Sequence, residues 1–458
     1  MNLEEILNIQ DKIVYENLKP WLSEEVIRQI SFANNDPDWM LEIRLKALEV
    51  FNSTPLPTWW PDLSKLNFDE IYFFAKPKDT TKDAKTWEEV PENIKDTFEK
   101  LWIPEAEKKM LAWVWAQYDS EVVYHSIKKE LQDLWIIFED MSVACKNHSD
   151  LLKKYFMRAV PITDHKFASL HAAVWSGWTF LYIPKWIKVS EPLQAYFRMN
   201  VKAGWQFEHT IIVLEDESEA HYIEWCSAPK YWTLSLHAWC VELYVGKNAR
   251  LRYSSVENWS KDTYNLNTKR AILNEDAHID WVGWNMWAWL TMLYPCSVLV
   301  WDWSSANHLW IAFANSWQII DAGAKVIHIW KNTNSKVISK SISKWWWDSI
   351  YRWLLDIKKT AINSIASIEC DWIIIDESST SNAIPVIKVE NTESIVAHEA
   401  SAGKINEDYL FYLQSRWINK KEAETIIVNW FLSPIISELP LEYAAEMNII
   451  IKQELQWN

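Results

Sequence analysis

The stretch Ile365–Arg416 reads IASIECDWIIIDESSTSNAIPVIKVENTESIVAHEASAGKINEDYLFYLQSR. Its first half is short apolar runs in alternation, among them Ile384-Pro-Val-Ile-Lys-Val389, with polar turns between them. Such runs read as strands rather than helices. A lone cysteine, Cys370, sits in one run, and the pair His398-Glu399 follows 28 and 29 residues later. At Asn406 the pattern changes to a helix with an Asn cap and acidic first-turn residues. A thiolate and a carboxylate near a β-to-α boundary form a donor set for a metal or a sulfur species. The plainer alternative is a buried core thiol and a carboxylate at a helix entry.

The same β texture extends upstream from about residue 155. It includes His209–Leu214, Val241–Val245, Arg250–Val256, Val326–Ile329, Lys336–Ile342 and Asn363–Ile368, with turn signals at 246–249 and 331–334. Many short strands without intervening helices indicate a sandwich, barrel or solenoid. One uniform texture over some 240 residues favours the solenoid, which grows rung by rung. Flanking segments read as helical. Ser23 caps 24–30, Pro37 opens a helix over 38–48, and 65–95 is a polar connection. Amphipathic helix is expected at Thr97–Leu101, Glu105–Leu111 and Ser126–Leu134. At the other end helices are expected at Glu407–Arg416, Ala423–Asn429 and Leu441–Leu455. The organisation is therefore 1–150 helical, 155–400 a β core, and 401–458 helical.

The chain has 458 residues and a formal net charge of −16, which argues against a nucleic-acid partner. No apolar run is long enough to span a bilayer and no leader pattern opens the sequence, so no membrane association and a cytoplasmic location are expected. The five cysteines (Cys145, Cys226, Cys240, Cys296, Cys370) show no CxxC pair or zinc-finger spacing. Cys145, Cys240 and Cys296 read as core residues, and His308 and His328 as packing histidines within strands. No GxxxxGK[ST] phosphate loop occurs.

One count is abnormal: 34 Trp against 6 Gly, together 40 residues, where glycine alone usually makes up about 7 %. The tryptophans stand where backbone physics asks for glycine. Lys344-Trp345-Trp346-Trp347-Asp348 is a polar loop with three adjacent indoles. Trp417 follows the helix ending at Arg416, a left-handed position. Trp186 follows Pro184-Lys185, and Trp301 and Trp303 flank Asp302. This pattern leads to the hypothesis that most of these residues are glycines in the organism, through UGA decoded as glycine.

Several motifs together resemble the SufB family of iron–sulfur cluster assembly scaffolds. Ala397-His398-Glu399-Ala400-Ser401 followed by Lys404–Leu413 is similar to the family signature HEAxxxKIxEDxLFYLxxRG. Val428-Asn429-Trp430-Phe431 matches VNGF, and Ser343-Lys344-Trp345-Trp346-Trp347 matches SKGGG. Upstream, Pro37–Arg44, Val174–Gly177, Glu224–Pro229 (EGCxAP) and Ser255–Trp259 also fit. The resemblance covers nearly the whole chain. It places Trp where the family has Gly, whereas Trp39, Trp175 and Trp259 match family tryptophans.

The resemblance implies a mainly β protein with flanking helices, a right-handed parallel β-helix core and a scaffold role without catalysis of its own. It implies Cys226 as acceptor of persulfide sulfur, with Arg198, Asn200, Glu257, Trp259 and Lys269 along a transfer path. Position 257 is often Gln in the family, so Glu257 adds a negative charge there. Cys370 and Glu399, with His398, are implied as ligands of a nascent, transient iron–sulfur cluster; a reduced flavin is left open. Ala397 stands where some members carry a further Glu. The implied partners are a SufC-type ATPase near the C-terminal helices, a SufD-type paralogue or a second copy of the chain, and a sulfur-donating desulfurase or transfer protein. A SufD-like structural subunit is the first alternative, and a β-helix carbohydrate-active enzyme a remote one. Peptide mass spectrometry of the native protein is expected to find glycine at position 346; tryptophan there sinks the recoding hypothesis.

Overall fold

The computed structural model describes residues 15–17, 22–58, 61–63, 68, 75–77, 113–118, 121–127, 131, 133–198, 205–227, 235–259, 262–286, 288–314, 318–343, 348–375, 379–438 and five positions between 444 and 452. Two long sheets dominate it. From the C-terminal end, one runs Ile395–Lys404, Ile365–Ile374, Asn334–Ser343, Ser305–Ala314, His278–Met286, Arg250–Asn258, Glu219–Ser227 and Leu193–Arg198. The other runs Thr380–Val389, Asp348–Ile357, Ile319–His328, Leu290–Leu293, Thr263–Leu273, Cys240–Val245, His209–Leu214 and Thr179–Ile183. These strands pair in parallel and in register. The chain alternates between the sheets coil by coil, which makes a parallel β-helix with short helices at both ends.

Alternation sets its inside. In Ile365–Ile374, Ala366, Ile368, Cys370 and Trp372 are buried and join the apolar core enclosed by the coils, while the residues between them face outward. A second core lies outside the solenoid. There α1 (Glu24–Asn34), α2 (Asp38–Ser53) and α3 (Lys166–Val174) cover the outer faces of His209–Leu214 and Cys240–Val245. The fully buried Arg44 fastens this layer. Its guanidinium meets Asp36 at 2.7 Å, donates to the carbonyls of Ala173 and Trp175, and stacks over the Trp175 ring. The expected caps form: Ser23, Asn406 and Asn419 accept from first-turn amides of α1, α4 (Glu407–Gln414) and α5 (Lys420–Ile436).

Two expectations on the flanks need correction or lie out of view. Ser126 and Ile127 are not helical. They end the strand Glu121–Ile127, antiparallel to Trp113–Tyr118, which in turn pairs with Leu193–Arg198. The alternating Val122, Tyr124 and Ser126 suit a strand once a sheet edge is offered, and tertiary pairing overrides local helical preference. The β region also holds α3, and its last strand continues to Lys404. Thr97–Leu101, Glu105–Leu111 and most of Leu441–Leu455 lie outside the described residues.

Seven successive coils each make one turn in a left-handed conformation, and these turns stack into a column: Trp186, Glu217, Asn248, Asp276, Trp303, Asn332 and Asn363, with φ between 50° and 65°. Amides of Trp186, Glu217, Asn248, Asp276 and Asn332 each donate to a carbonyl of the following coil. Asn and Asp tolerate this region; an indole-bearing residue has no local hydrogen bond to offset the steric cost. Trp135, Trp178 and Trp417 are likewise left-handed, and Trp417 is 98 % exposed. The indole N–H groups of Trp284, Trp310 and Trp353 are buried without an acceptor, a costly state for a polar group. Replacing Trp303 by Gly or Asn is expected to stabilise the chain as written by about 1–2 kcal/mol, measured as a raised urea midpoint; Trp39→Gly, at a helical position, should lower it.

Candidate functional site

Among the described residues, buried charged side chains gather in one chamber of the solenoid interior. Glu224 and Cys226 enter it from Glu219–Ser227, Ser255 and Glu257 from Arg250–Asn258, and Asn265, Asn267 and Lys269 from Thr263–Leu273. Successive inward positions on parallel strands place them side by side. The Lys269 ammonium lies at the centre. It donates to Glu224 Oε1 at 3.1 Å, Glu257 Oε1 at 2.9 Å and Ser255 Oγ at 2.8 Å, and it sits over the Trp239 ring. Tyr253 donates a short hydrogen bond to Glu224. Asn265 and Asn267 donate to Glu257 Oε2 at 2.6 and 3.1 Å. His237 joins through Asn265, lies 3.1 Å from Glu208, and stacks against Trp259.

The electrostatics follow from total burial. Desolvation raises Glu224 to about 7, offset only in part by Lys269 and Tyr253. The same desolvation acts on Glu257, but Lys269 and the Asn265 amide outweigh it and hold the carboxyl below its usual range. Lys269 pays desolvation too, and the two carboxylates more than compensate, so it stays charged. The negative charge of Glu257 is therefore balanced. Cys226, buried and register-paired with Glu257, is pushed well above the ordinary thiol range by desolvation and then by Glu224, Glu257 and Glu208. At rest it is a thiol.

At the far end, Cys370 faces the same interior, fully buried between Ile368 and Trp372. Burial, then Asp371 and Glu369, push it up to about 12. The 29-residue spacing does bring Glu399 into the neighbouring rung, yet the register pairs Cys370 with Ala400 and Glu369 with Glu399. Glu399 therefore faces outward, on the side where Lys340 bridges to Asp371 at 2.9 Å and Ser401 donates to Asp371 at 2.6 Å. His398 takes the inner parity, its ring 4.8 Å from Trp353. Among the described residues, Cys370, His398 and Glu399 do not converge on a common ligand point.

Arg198 lies in the strand beside Cys226, paired with Ser227, and Asn200 lies outside the described residues. Cys145, Cys240 and Cys296 are buried, as are His308 and His328. Glu224, Asn265, Asn267 and His237 were not singled out from the sequence. Glu224 stood two residues before Cys226, and the period-2 pattern alone places them on one face.

A family model for the SUF system FeS cluster assembly SufBD core domain matches residues 197–431. The chain belongs to the SufBD family. An iron–sulfur cluster assembly SufBD family protein of Staphylococcus aureus (strain MRSA252) is 48 % identical over 435 residues, covering 95 % of this chain and 93 % of the relative. One of Staphylococcus haemolyticus (strain JCSC1435) is 47 % identical over the same span. The chain is accordingly an iron–sulfur cluster assembly protein built on a β-helix. No helix among the described residues is long and apolar enough to cross a membrane.

Two substitutions test the chamber. Lys269→Met leaves buried carboxylates without their cation and should cost about 3–5 kcal/mol; Glu257→Gln added to it should restore part of that loss in urea unfolding. Glu224 holds its proton in the folded state between its ordinary 4.5 and about 7, so its contribution to stability falls as pH rises through that window. Glu224→Gln should flatten this slope, read from unfolding midpoints across the same pH range.

Proposed function

We propose that this SufBD protein is the SufB-type scaffold subunit, which receives sulfur at Cys226 and assembles a nascent cluster at Cys370. The carrying observation is that both thiols lie on the inner face of one solenoid, with the only charged interior chamber among the described residues surrounding the first. In the proposed step the Cys226 sulfur attacks the terminal sulfur of a donor persulfide. The donor S–S bond breaks, its thiolate leaves, and Cys226 becomes the persulfide, with no net oxidation. Because burial disfavours a free Cys226 thiolate, the thiol proton must leave as the donor engages. Glu224, poised near neutrality on the same face, is the acceptor at hand. The Lys269 ammonium then stabilises the anionic persulfide. Arg198 and Asn200 belong to the same path, and Trp259, stacked on His237, forms its wall.

Iron and sulfide are the cargo. Cys370 supplies the thiolate and His398 an imidazole of the same parity. Glu399 reaches the cluster from the outer face only if the last rung rearranges or a partner completes the set. The strands Thr380–Val389 and Ile395–Lys404 end both sheets and are exposed on both faces, including Ile384, Val386, Ile387 and Val389, which suits a SufD-type paralogue or a second copy. The exposed Tyr409, Phe411 and Tyr412 of α4 offer an aromatic face for a SufC-type ATPase. Hydrolysis of ATP belongs to that partner, and sulfur arrives from a desulfurase or transfer protein. The failure of Glu399 to meet Cys370 within one chain favours, as a second reading, a SufD-like structural subunit.

Cys370→Ser is expected to abolish the visible absorbance of a cluster on anaerobic reconstitution of the complex and to prevent complementation in cells. Cys226→Ser should abolish persulfide labelling while leaving reconstitution from free iron and sulfide intact. Unchanged assembly with Cys370→Ser would establish the SufD-like reading instead.

A further inference from the structure

Outside the solenoid, between α3 and the sheet, a second group of donors meets. His209 and Cys240 open adjacent parallel strands and are register partners. His171 descends on them from α3, and all three are buried. One ring nitrogen of His171, one of His209 and the Cys240 Sγ lie within 4.8 Å of one another.

The hydrogen bonds around them fix which ring atoms are available. His171 Nδ1 lies 3.1 Å from the carbonyl of Ala238, which can only accept, so Nδ1 carries a proton. His209 Nε2 lies 3.0 Å from Glu242 Oε2. The Glu242 carboxylate also accepts from the amides of Met157 and Val160 and from the Tyr244 hydroxyl; as an acceptor it assigns the Nε2 proton to His209. In the neutral rings the two remaining nitrogens, His171 Nε2 and His209 Nδ1, therefore point lone pair to lone pair at 2.9 Å. Something positive belongs between them. The arrangement of a ring nitrogen facing the centre while the other donates to a carboxylate or carbonyl is the usual second layer of a metal site.

We infer that His171, His209 and Cys240 bind a borderline-soft transition-metal ion of the zinc class, with Glu242 and Ala238 orienting the imidazoles. Zinc–nitrogen and zinc–sulfur bonds of about 2.0 and 2.3 Å require the nitrogens to stand about 3.3 Å apart, a small opening from the observed separation. A divalent ion, the Cys240 thiolate and the Glu242 carboxylate sum to zero charge in a buried place. Phe156 stacks on His209 at 4.6 Å and the Trp175 edge lies beyond, so the surroundings are aromatic and dry. The ion would pin α3, and with it α1 and α2, to the outer face of the β-helix. It is separate from the proposed cluster site, which lies on the inner face at the opposite end of the sheets.

The test uses the full chain, stripped with a chelator and titrated anaerobically with Co(II) alone. One equivalent is expected to produce ligand-field bands of a low-coordinate site and a thiolate charge-transfer band. Cys240→Ser removes the charge-transfer band; Cys370→Ser and Cys226→Ser leave it. Glu242→Gln should weaken zinc binding about 10–100-fold. Should the variants fail to fold, the unmutated chain still reports: zinc should protect Cys240 selectively from alkylation, read by peptide mapping, and raise the melting temperature. No cobalt band, a band that disappears with Cys370→Ser instead, or alkylation of Cys240 indifferent to zinc would overturn the proposal and leave a proton shared between the two rings.

Discussion

Parallel pairing in register is the constraint on which everything else rests. Each coil repeats the phase of the one before, so a residue's parity decides whether it belongs to the enclosed core, to the helix-covered outer face or to solvent. Glu224, Cys226, Glu257 and Lys269 meet because their strands keep phase across two successive coils. A slip of one residue in any of these strands would turn that strand's chamber residues outward. The same phase sends Cys370 inward and Glu399 outward although they are neighbours along the stack.

The chamber is held by balance rather than by area. A single ammonium serves two carboxylates, while Ser255, Asn265 and Asn267 donate to Glu257 and Tyr253 donates to Glu224. Such a cluster contributes little net stability compared with an apolar filling. Its effect on neighbouring sulfur is electrostatic: together with burial, its carboxylates push the Cys226 thiol well above the ordinary range.

Much of this was legible in the sequence. The runs at His209–Leu214, Arg250–Val256 and Lys336–Ile342 are short, β-rich and bounded by turn signals, and Ser23, Asn406 and Asn419 are caps whose chemistry is local. The turns at Asn248 and Asn332 could be placed for the same reason. What depended on distant pairing could not. The hairpin 113–127 takes its form from the sheet edge it joins, and the parity of Glu399 relative to Cys370 rests on a register that a spacing of 29 leaves ambiguous by one residue. His171, His209 and Cys240 are scattered over 70 positions with no motif to link them. The tryptophans taught the reverse lesson: their misfit was visible in the sequence as composition, and the backbone presents it as left-handed Trp186 and Trp303 in a column otherwise of Asn, Asp and Glu.

The two strands that close the stack, Thr380–Val389 and Ile395–Lys404, have consequences beyond partner choice. A rung with bare edges has no fixed energy of its own, because its hydrogen-bonding groups are satisfied by water or by another chain according to supply. The last coil should therefore be subject to mass action, firm when its counterpart is abundant and loose when it is scarce. Since Cys370 sits one rung beneath that edge, the chemistry proposed for its thiol would be rationed by subunit concentration, and an orphan chain would be prone to adhere to its own kind.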